Sequence, residues 1–238
     1  MSQTDLKLLT CAFMLIDHIG YFWFPDCEPL RWIGRLAFPL FAWFVAEGCL
    51  YTRSRLRYFG RVAALGVLCQ IVYSAEELLG GGLRTVYLSS LFSFCLSMPL
   101  CFLLLEVRRA VEKKQTRRAV GFGALLVLGF GGAAALCCLG DRLPLPIVID
   151  YGLGGILLPL SALFAVRKTP RLAGFGVGLV LFNLLMMGSM PYTWCSMLTL
   201  VLLAAYNGER GRKVSKWFFY AFYPLHMALV YLLQPLFY

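Results

Sequence analysis

Two histidines occur in the chain, His18 and His226, and each lies inside a long apolar stretch. Histidine takes up and returns a proton near neutral pH, so either is a candidate general base. Asp17 stands directly before His18 and can fix its tautomer or balance its charge. Adjacent helical residues point about 100° apart, so the two can also serve different partners. Arg35, Glu47 and Asp150 are further charged groups expected within or at the end of membrane-spanning segments. A charge in the hydrocarbon region costs several kcal/mol, which makes each a functional candidate. A base beside a cation is the kind of set that group transfer or proton relay needs. A base removes the acceptor proton, and a donor or cation holds the developing oxyanion. His18 with Asp17 fits the first role, and Arg35 or His226 the second.

The elements that must carry these residues follow from composition. Of 238 residues, 60% are apolar and 14% are charged. The mean hydropathy is +0.75. A soluble domain is nearer a quarter charged, so an ordinary cytosolic domain, a disordered chain and a soluble repeat array are excluded. Apolar runs near 6–24, 32–50, 62–79, 88–106, 120–139, 147–166, 172–187, 192–206 and 217–236 are mostly long enough to cross a bilayer as helices. They do not alternate as barrel strands do. The fold expected is all-α: a polytopic membrane bundle of about nine transmembrane helices, forming a single domain over 1–238. Residues 6–24 lack a basic start and a small-residue cleavage site, so they read as a helix of the mature protein. Pro39 and Pro224 are expected to kink the second and ninth helices.

The net charge is +10, and it is unevenly placed. Four connections hold 17 of the 22 basic residues: Arg53–Arg61, Arg108–Arg118, Arg167–Arg171 and Arg210–Lys216. The intervening connections, near 25–31, 80–86, 140–146 and 188–191, hold only Arg31, Arg84 and Arg142. Basic and non-basic connections alternate across nine segments, which puts the N-terminus in the cytoplasm and the C-terminus outside. The basic loops suit anionic lipid and a polyanionic cytosolic ligand. They are too short and too close to the membrane for nucleic acid. The nine cysteines show no metal-type spacing and read as packing residues. No metal site is expected.

Pairings can be anticipated from depth. His18 lies about 9 Å from the outer end of its helix, and tilt can bring His226 level with it. Arg35 and Glu47 are about 18 Å apart along one helix and cannot pair. Asp17 is the expected partner of Arg35, and the first basic loop that of Glu47.

The stretch Met14-Leu15-Ile16-Asp17-His18-Ile19-Gly20 resembles the opening signature of the TraX family. Ile33-Gly34-Arg35-Leu36-Ala37-Phe38-Pro39-Leu40-Phe41-Ala42, Ala46-Glu47-Gly48, Asp150-Tyr151-Gly152, Tyr206-Asn207-Gly208 and Phe222-Tyr223-Pro224-Leu225-His226 continue the likeness. It runs over about 5–235. One departure is Leu88-Ser89-Ser90-Leu91-Phe92, where the family is expected to carry an Asn.

The resemblance implies a conjugal-transfer pilin acetyltransferase-like protein within the transmembrane acyltransferase superfamily. Its donor would be cytosolic acetyl-CoA, with no tightly bound cofactor. The acceptor would be extracytoplasmic, a pilin-type N-terminal amine or a glycan hydroxyl. The location implied is the bacterial plasma membrane. On this reading His18, Asp17 and His226 are catalytic, with His18 a base or transient acetyl carrier. Arg35, Glu47, Tyr223, Asp150 and Asn207 bind substrate or donor. A proton-coupled transporter is the alternative from intramembrane Asp, His and Arg, although no internal repeat supports it. A non-catalytic membrane assembly factor is the other.

Overall fold

The computed structural model describes residues 1–79, 85–186 and 190–236. The connections expected at 80–86 and 188–191, with Arg84, fall wholly or partly outside the described residues. Helices dominate, and the chain divides into two compact units. One comprises residues 1–41 and 187–238, the other 42–186.

In the first unit α1 spans Gln3–Phe22 and α2 spans Glu28–Gly34. The first turn of α3 (Ala37–Tyr51) follows, and α9 (Met190–Met197), α10 (Thr199–Ala205) and α11 (Lys216–Leu233) return to it. Ser2 and Asp5 start α1 with a reciprocal capping box. The Ser2 hydroxyl donates to Asp5 Oδ2 at 2.7 Å. That bond holds the Asp5 carboxyl below its ordinary range. The cap is therefore complete at neutral pH and is lost as acid protonates Asp5.

Helices α1 and α11 run parallel. Gln3 N donates to Glu209 O, before the start of α11, at 2.7 Å. Midway the rings of His18 and His226 meet, with centroids 5.0 Å apart. Near the other end Trp23 Nε1 donates to Val230 O at 3.0 Å, and Phe22 meets Tyr231 edge-on at 4.7 Å. The same end of both helices thus faces the same way.

The second unit holds the rest of α3, then α4 (Arg55–Leu79), β1 (Val86–Leu88), α5 (Ser90–Glu112) and α6 (Thr116–Leu139). Strand β2 (Ile147–Ile149), α7 (Gly152–Ser161) and α8 (Lys168–Met186) complete it. The two strands pair in parallel, with Val86 opposite Ile147 and Leu88 opposite Ile149. This ladder corrects the expectation of helix from 147. Pro144 and Pro146 bias the preceding residues to extended backbone, and Val86 N bonds to Pro146 O at 2.7 Å.

Two more expected spans are interrupted. The second breaks between α2 and α3 at Arg35-Leu36. Pro39 explains the break, because its ring would clash with the carbonyl of Arg35 in a continuous helix. It sits instead in the first turn of α3, where a missing N–H costs nothing. The expected kink is therefore an interruption. The eighth span divides at Leu198 between α9 and α10.

Among the described residues, Glu28–Tyr51, Ser90–Glu112, Thr116–Arg142 and Lys168–Met186 are long and apolar enough to cross a membrane. The protein is an all-α membrane protein with this small ladder added.

Glu47 is engaged inside the second unit by Arg171, which the sequence places in the third basic connection. Arg171 Nη1 donates to Glu47 Oε1 at 3.3 Å, and Arg171 Nε donates to Ala162 O at 2.8 Å. The guanidinium lies 3.9 Å from the centroid of Trp43, which packs edge-on against Phe175. Arg171 is only 3% exposed, although the sequence places it in a basic connection. Removing one partner of a buried pair strands the other. Arg171→Ala is expected to cost about 3–5 kcal/mol, and Glu47→Met with Arg171→Met to recover most of it. Equilibrium unfolding in mixed micelles checks this. A single variant as stable as wild type would refute the role of the pair.

Candidate active site

The candidate site lies in the first unit, on α1 and α11. His18 is half-buried and His226 is 4% exposed. His226 Nδ1 lies 2.8 Å from Phe222 O, and His18 Nδ1 lies 2.8 Å from Met14 O. A carbonyl only accepts, so each Nδ1 must carry the proton and donate. The neutral rings then have bare Nε2 atoms. His226 Nε2 lies 3.2 Å from His18 Nδ1, where it accepts a share of the same N–H. His18 Nε2 is left as an unprotonated nitrogen with no partner among the described residues.

Aromatic rings hold both imidazoles. His226 stacks on Phe222 at 5.0 Å and 9°, and Tyr223 meets its edge at 5.7 Å. His18 stacks on Phe22 at 6.3 Å and 13°. These contacts fix ring planes while leaving His18 Nε2 open. The arrangement can accept a proton at that nitrogen and spread the charge toward His226 Nε2.

Asp17 makes no hydrogen bond to His18 among the described residues. Its Oδ2 pairs with Arg31 Nη1 at 2.8 Å, and the same Nη1 donates to Asp17 O at 3.0 Å. The ion-pair partner expected was Arg35. The guanidinium of Arg35 stands 5.2 Å over the ring of Tyr192, and its charge also acts on Asp17. In the sequence Arg31 is only one cation of a sparsely charged connection. The missed signal is glycine: a Cβ at Gly34 would lie 2.3 Å from Asp17 Cβ and Oδ1. A Cβ at Gly20 would lie 2.7 Å from that of Leu30. Bare backbone on both helices lets α1 and α2 approach until Arg31 reaches Asp17. Asp17 Oδ1 is buried without a hydrogen-bond partner among the described residues.

The remaining candidates stand elsewhere. Asn207 belongs to a turn against the start of α1, where its N donates to Met1 O at 3.0 Å and its Nδ2 to Glu209 at 2.9 Å. From Met1 to His18 is about 25 Å of helix rise. Glu47 is held by Arg171 in the second unit, as described. Asp150 also lies there. It follows β2, its Oδ1 accepts from Tyr87 Oη at 2.8 Å, and its carbonyl accepts from Ser93 Oγ. Tyr151, at φ 57°, then turns the chain into α7. Among the described residues no group of three or more His, Cys, Asp or Glu is placed to hold a metal.

The close approach at Gly34 is testable against a glycine in open space. Gly34→Ala is expected to destabilise the protein by about 1–3 kcal/mol. Gly121→Ala in α6, where a Cβ meets nothing within 4 Å, is expected to be neutral or stabilising. Thermal unfolding of both checks this, and equal midpoints would remove the packing role of Gly34.

A probable fimbrial assembly protein FimC, serogroup H1, of Dichelobacter nodosus is 26% identical over 96% of this chain and 94% of that protein. No solved structure matches. Residues 2–234 match the TraX protein family, nearly the whole chain, and the protein belongs to that family.

Proposed function

We propose that this protein is a multi-pass membrane acetyltransferase. It moves an acetyl group from cytosolic acetyl-CoA to an extracytoplasmic acceptor, a pilin-type N-terminal amine or a glycan hydroxyl. The observation that carries this reading is the bare His18 Nε2, held in place by His226.

The chemistry follows from that nitrogen. His18 Nε2 removes the acceptor N–H or O–H proton as the acceptor atom attacks the thioester carbonyl. The new bond forms to carbon, the C–S bond breaks, and the CoA thiolate leaves. The thiolate then takes the proton back from His18. While His18 is an imidazolium, its Nδ1–H is shared with His226 Nε2 and Met14 O. His226 therefore supports the base, and its ring nitrogens are both engaged, so the oxyanion falls to another donor. Arg35, on the same unit, is the cation assigned to it.

The proposed topology is nine crossings in a bacterial plasma membrane, with the N-terminus in the cytoplasm and the C-terminus outside. The whole chain acts as one transmembrane acyltransferase-like domain. The parallel course of α1 and α11 supports an odd count, since first and ninth crossings run the same way. Basic connections on the cytoplasmic side then face the donor.

The test is acetyl transfer from acetyl-CoA to a model N-terminal peptide by the purified protein in nanodiscs. His18→Ala is expected to lower turnover about 100-fold or more, the usual contribution of a general base. His226→Ala is expected to lower kcat with little change in the KM for acetyl-CoA. Full activity in both variants would overturn the mechanism.

A second reading has one observation of its own. The Dichelobacter relative is named as a probable assembly protein. A non-catalytic assembly factor would show no saturable acetyl-CoA binding, and His18→Ala would leave assembly of the surface structure intact.

A further inference from the structure

One basic connection differs from the others by its attachment to the histidine-bearing helix. Residues 206–213 lie as a strap on the first turn of α1. Asn207 N donates to Met1 O at 3.0 Å, Gln3 N to Glu209 O at 2.7 Å and Thr4 N to Arg210 O at 3.2 Å. Thr4 Oγ1 is within hydrogen-bond distance of the carbonyls of Arg210 and Arg212, at 2.7 and 2.8 Å. Gly211, at φ 72°, makes the tight approach, because a Cβ there would lie 2.0 Å from Ser2 Oγ.

The strap turns its carbonyls inward and its cations outward. Arg210, Arg212 and Lys213 are all exposed. Arg212 reaches Asp5 at 3.3 Å, and Glu209 is bound by Asn207. The side chains of Arg210 and Lys213 have no hydrogen-bond or ion-pair partner among the described residues. Lys7, within two turns on α1, adds a further cation over Phe219 at 6.0 Å. This is a concentrated positive surface on a hydrogen-bonded scaffold, suited to phosphate.

Distance narrows the ligand. Asp5, where Arg212 is held, and His18 are thirteen residues apart on one straight element, about 20 Å. In a pantetheine thioester about thirteen bonds separate the nearest phosphorus from the sulfur. At the reach per bond of an extended peptide chain that is about 16 Å, and a pyrophosphate extends it by a few ångströms. The cation strap and the bare nitrogen are thus one pantetheine arm apart.

We propose that Arg210, Arg212 and Lys213 hold the phosphates of the donor, so that its arm lies along α1 and brings the thioester carbonyl to His18. This rests on the acetyltransferase reading for the identity of the arm. It adds which of four basic connections takes the phosphates, and why an arm of that length is required.

The test compares acetyl-CoA with acetyl-pantetheine, which has the arm and no phosphate. Both are titrated against wild type and the Arg210→Gln/Lys213→Gln variant, in nanodiscs of neutral phosphatidylcholine. The variant is expected to bind acetyl-CoA about tenfold more weakly and acetyl-pantetheine as wild type does. Unchanged acetyl-CoA affinity would overturn the proposal, as would equal weakening for both ligands. Repeating the titration with anionic phosphatidylglycerol separates the other phosphate source. If the substitutions alter only the response to anionic lipid, the strap serves the membrane and the proposal fails. If wild type binds neither thioester, the acetyltransferase reading itself falls. Binding by wild type with no effect of the substitutions removes only the strap.

Discussion

The hydrogen bond between His226 and His18 exists only while α1 and α11 run parallel in one register. A slip of one residue would rotate one ring by about 100° and carry it out of reach. The structure fixes that register from both ends. The strap of residues 206–213 holds the start of α1, and Trp23 on Val230 holds the far end. The imidazoles lie between these two attachments. Each gives its Nδ1 proton to its own helix, so the pair needs no buried charge at rest. In a low-dielectric surrounding that is the less costly way to bury two imidazoles.

The charged groups around the pair obey the same constraint. Asp17 cannot remain an isolated carboxylate in an apolar bundle, and Arg31 neutralises it. Glycines at 20 and 34 permit the approach. In the second unit Glu47 and Arg171 solve the same problem, with Trp43 covering the guanidinium. Such pairs lock elements together, and the histidines stand apart from them, paired with each other.

Much of the site was legible because polar residues stand out in apolar sequence. His18, Asp17 and His226 stand out by that contrast, and the stretches that resemble the TraX family contain the same residues. Partners were harder. Arg31 and Arg171 sit near segment ends, where sequence reads a cation as topology rather than as a buried ligand. The depth of an arginine depends on which helices approach, and glycine spacing carries that information weakly. The fold shows a similar division. Long apolar runs mark the helices, but Pro39 suggests a kink where it sits in the first turn of a helix after a break. The ladder of Val86–Leu88 and Ile147–Ile149 escaped notice because three-residue apolar strands look like helix ends.

The chain contains only the two histidines of the pair, so its imidazole nitrogens can be observed without interference. Solid-state ¹⁵N NMR of untagged, histidine-labelled protein in bilayers at neutral pH is the most direct measurement. The account predicts two neutral rings, each protonated at Nδ1 and bare at Nε2, with a contact between His226 Nε2 and His18 Nδ1. Protonation of His18 at Nε2, or two imidazolium rings at rest, would contradict it.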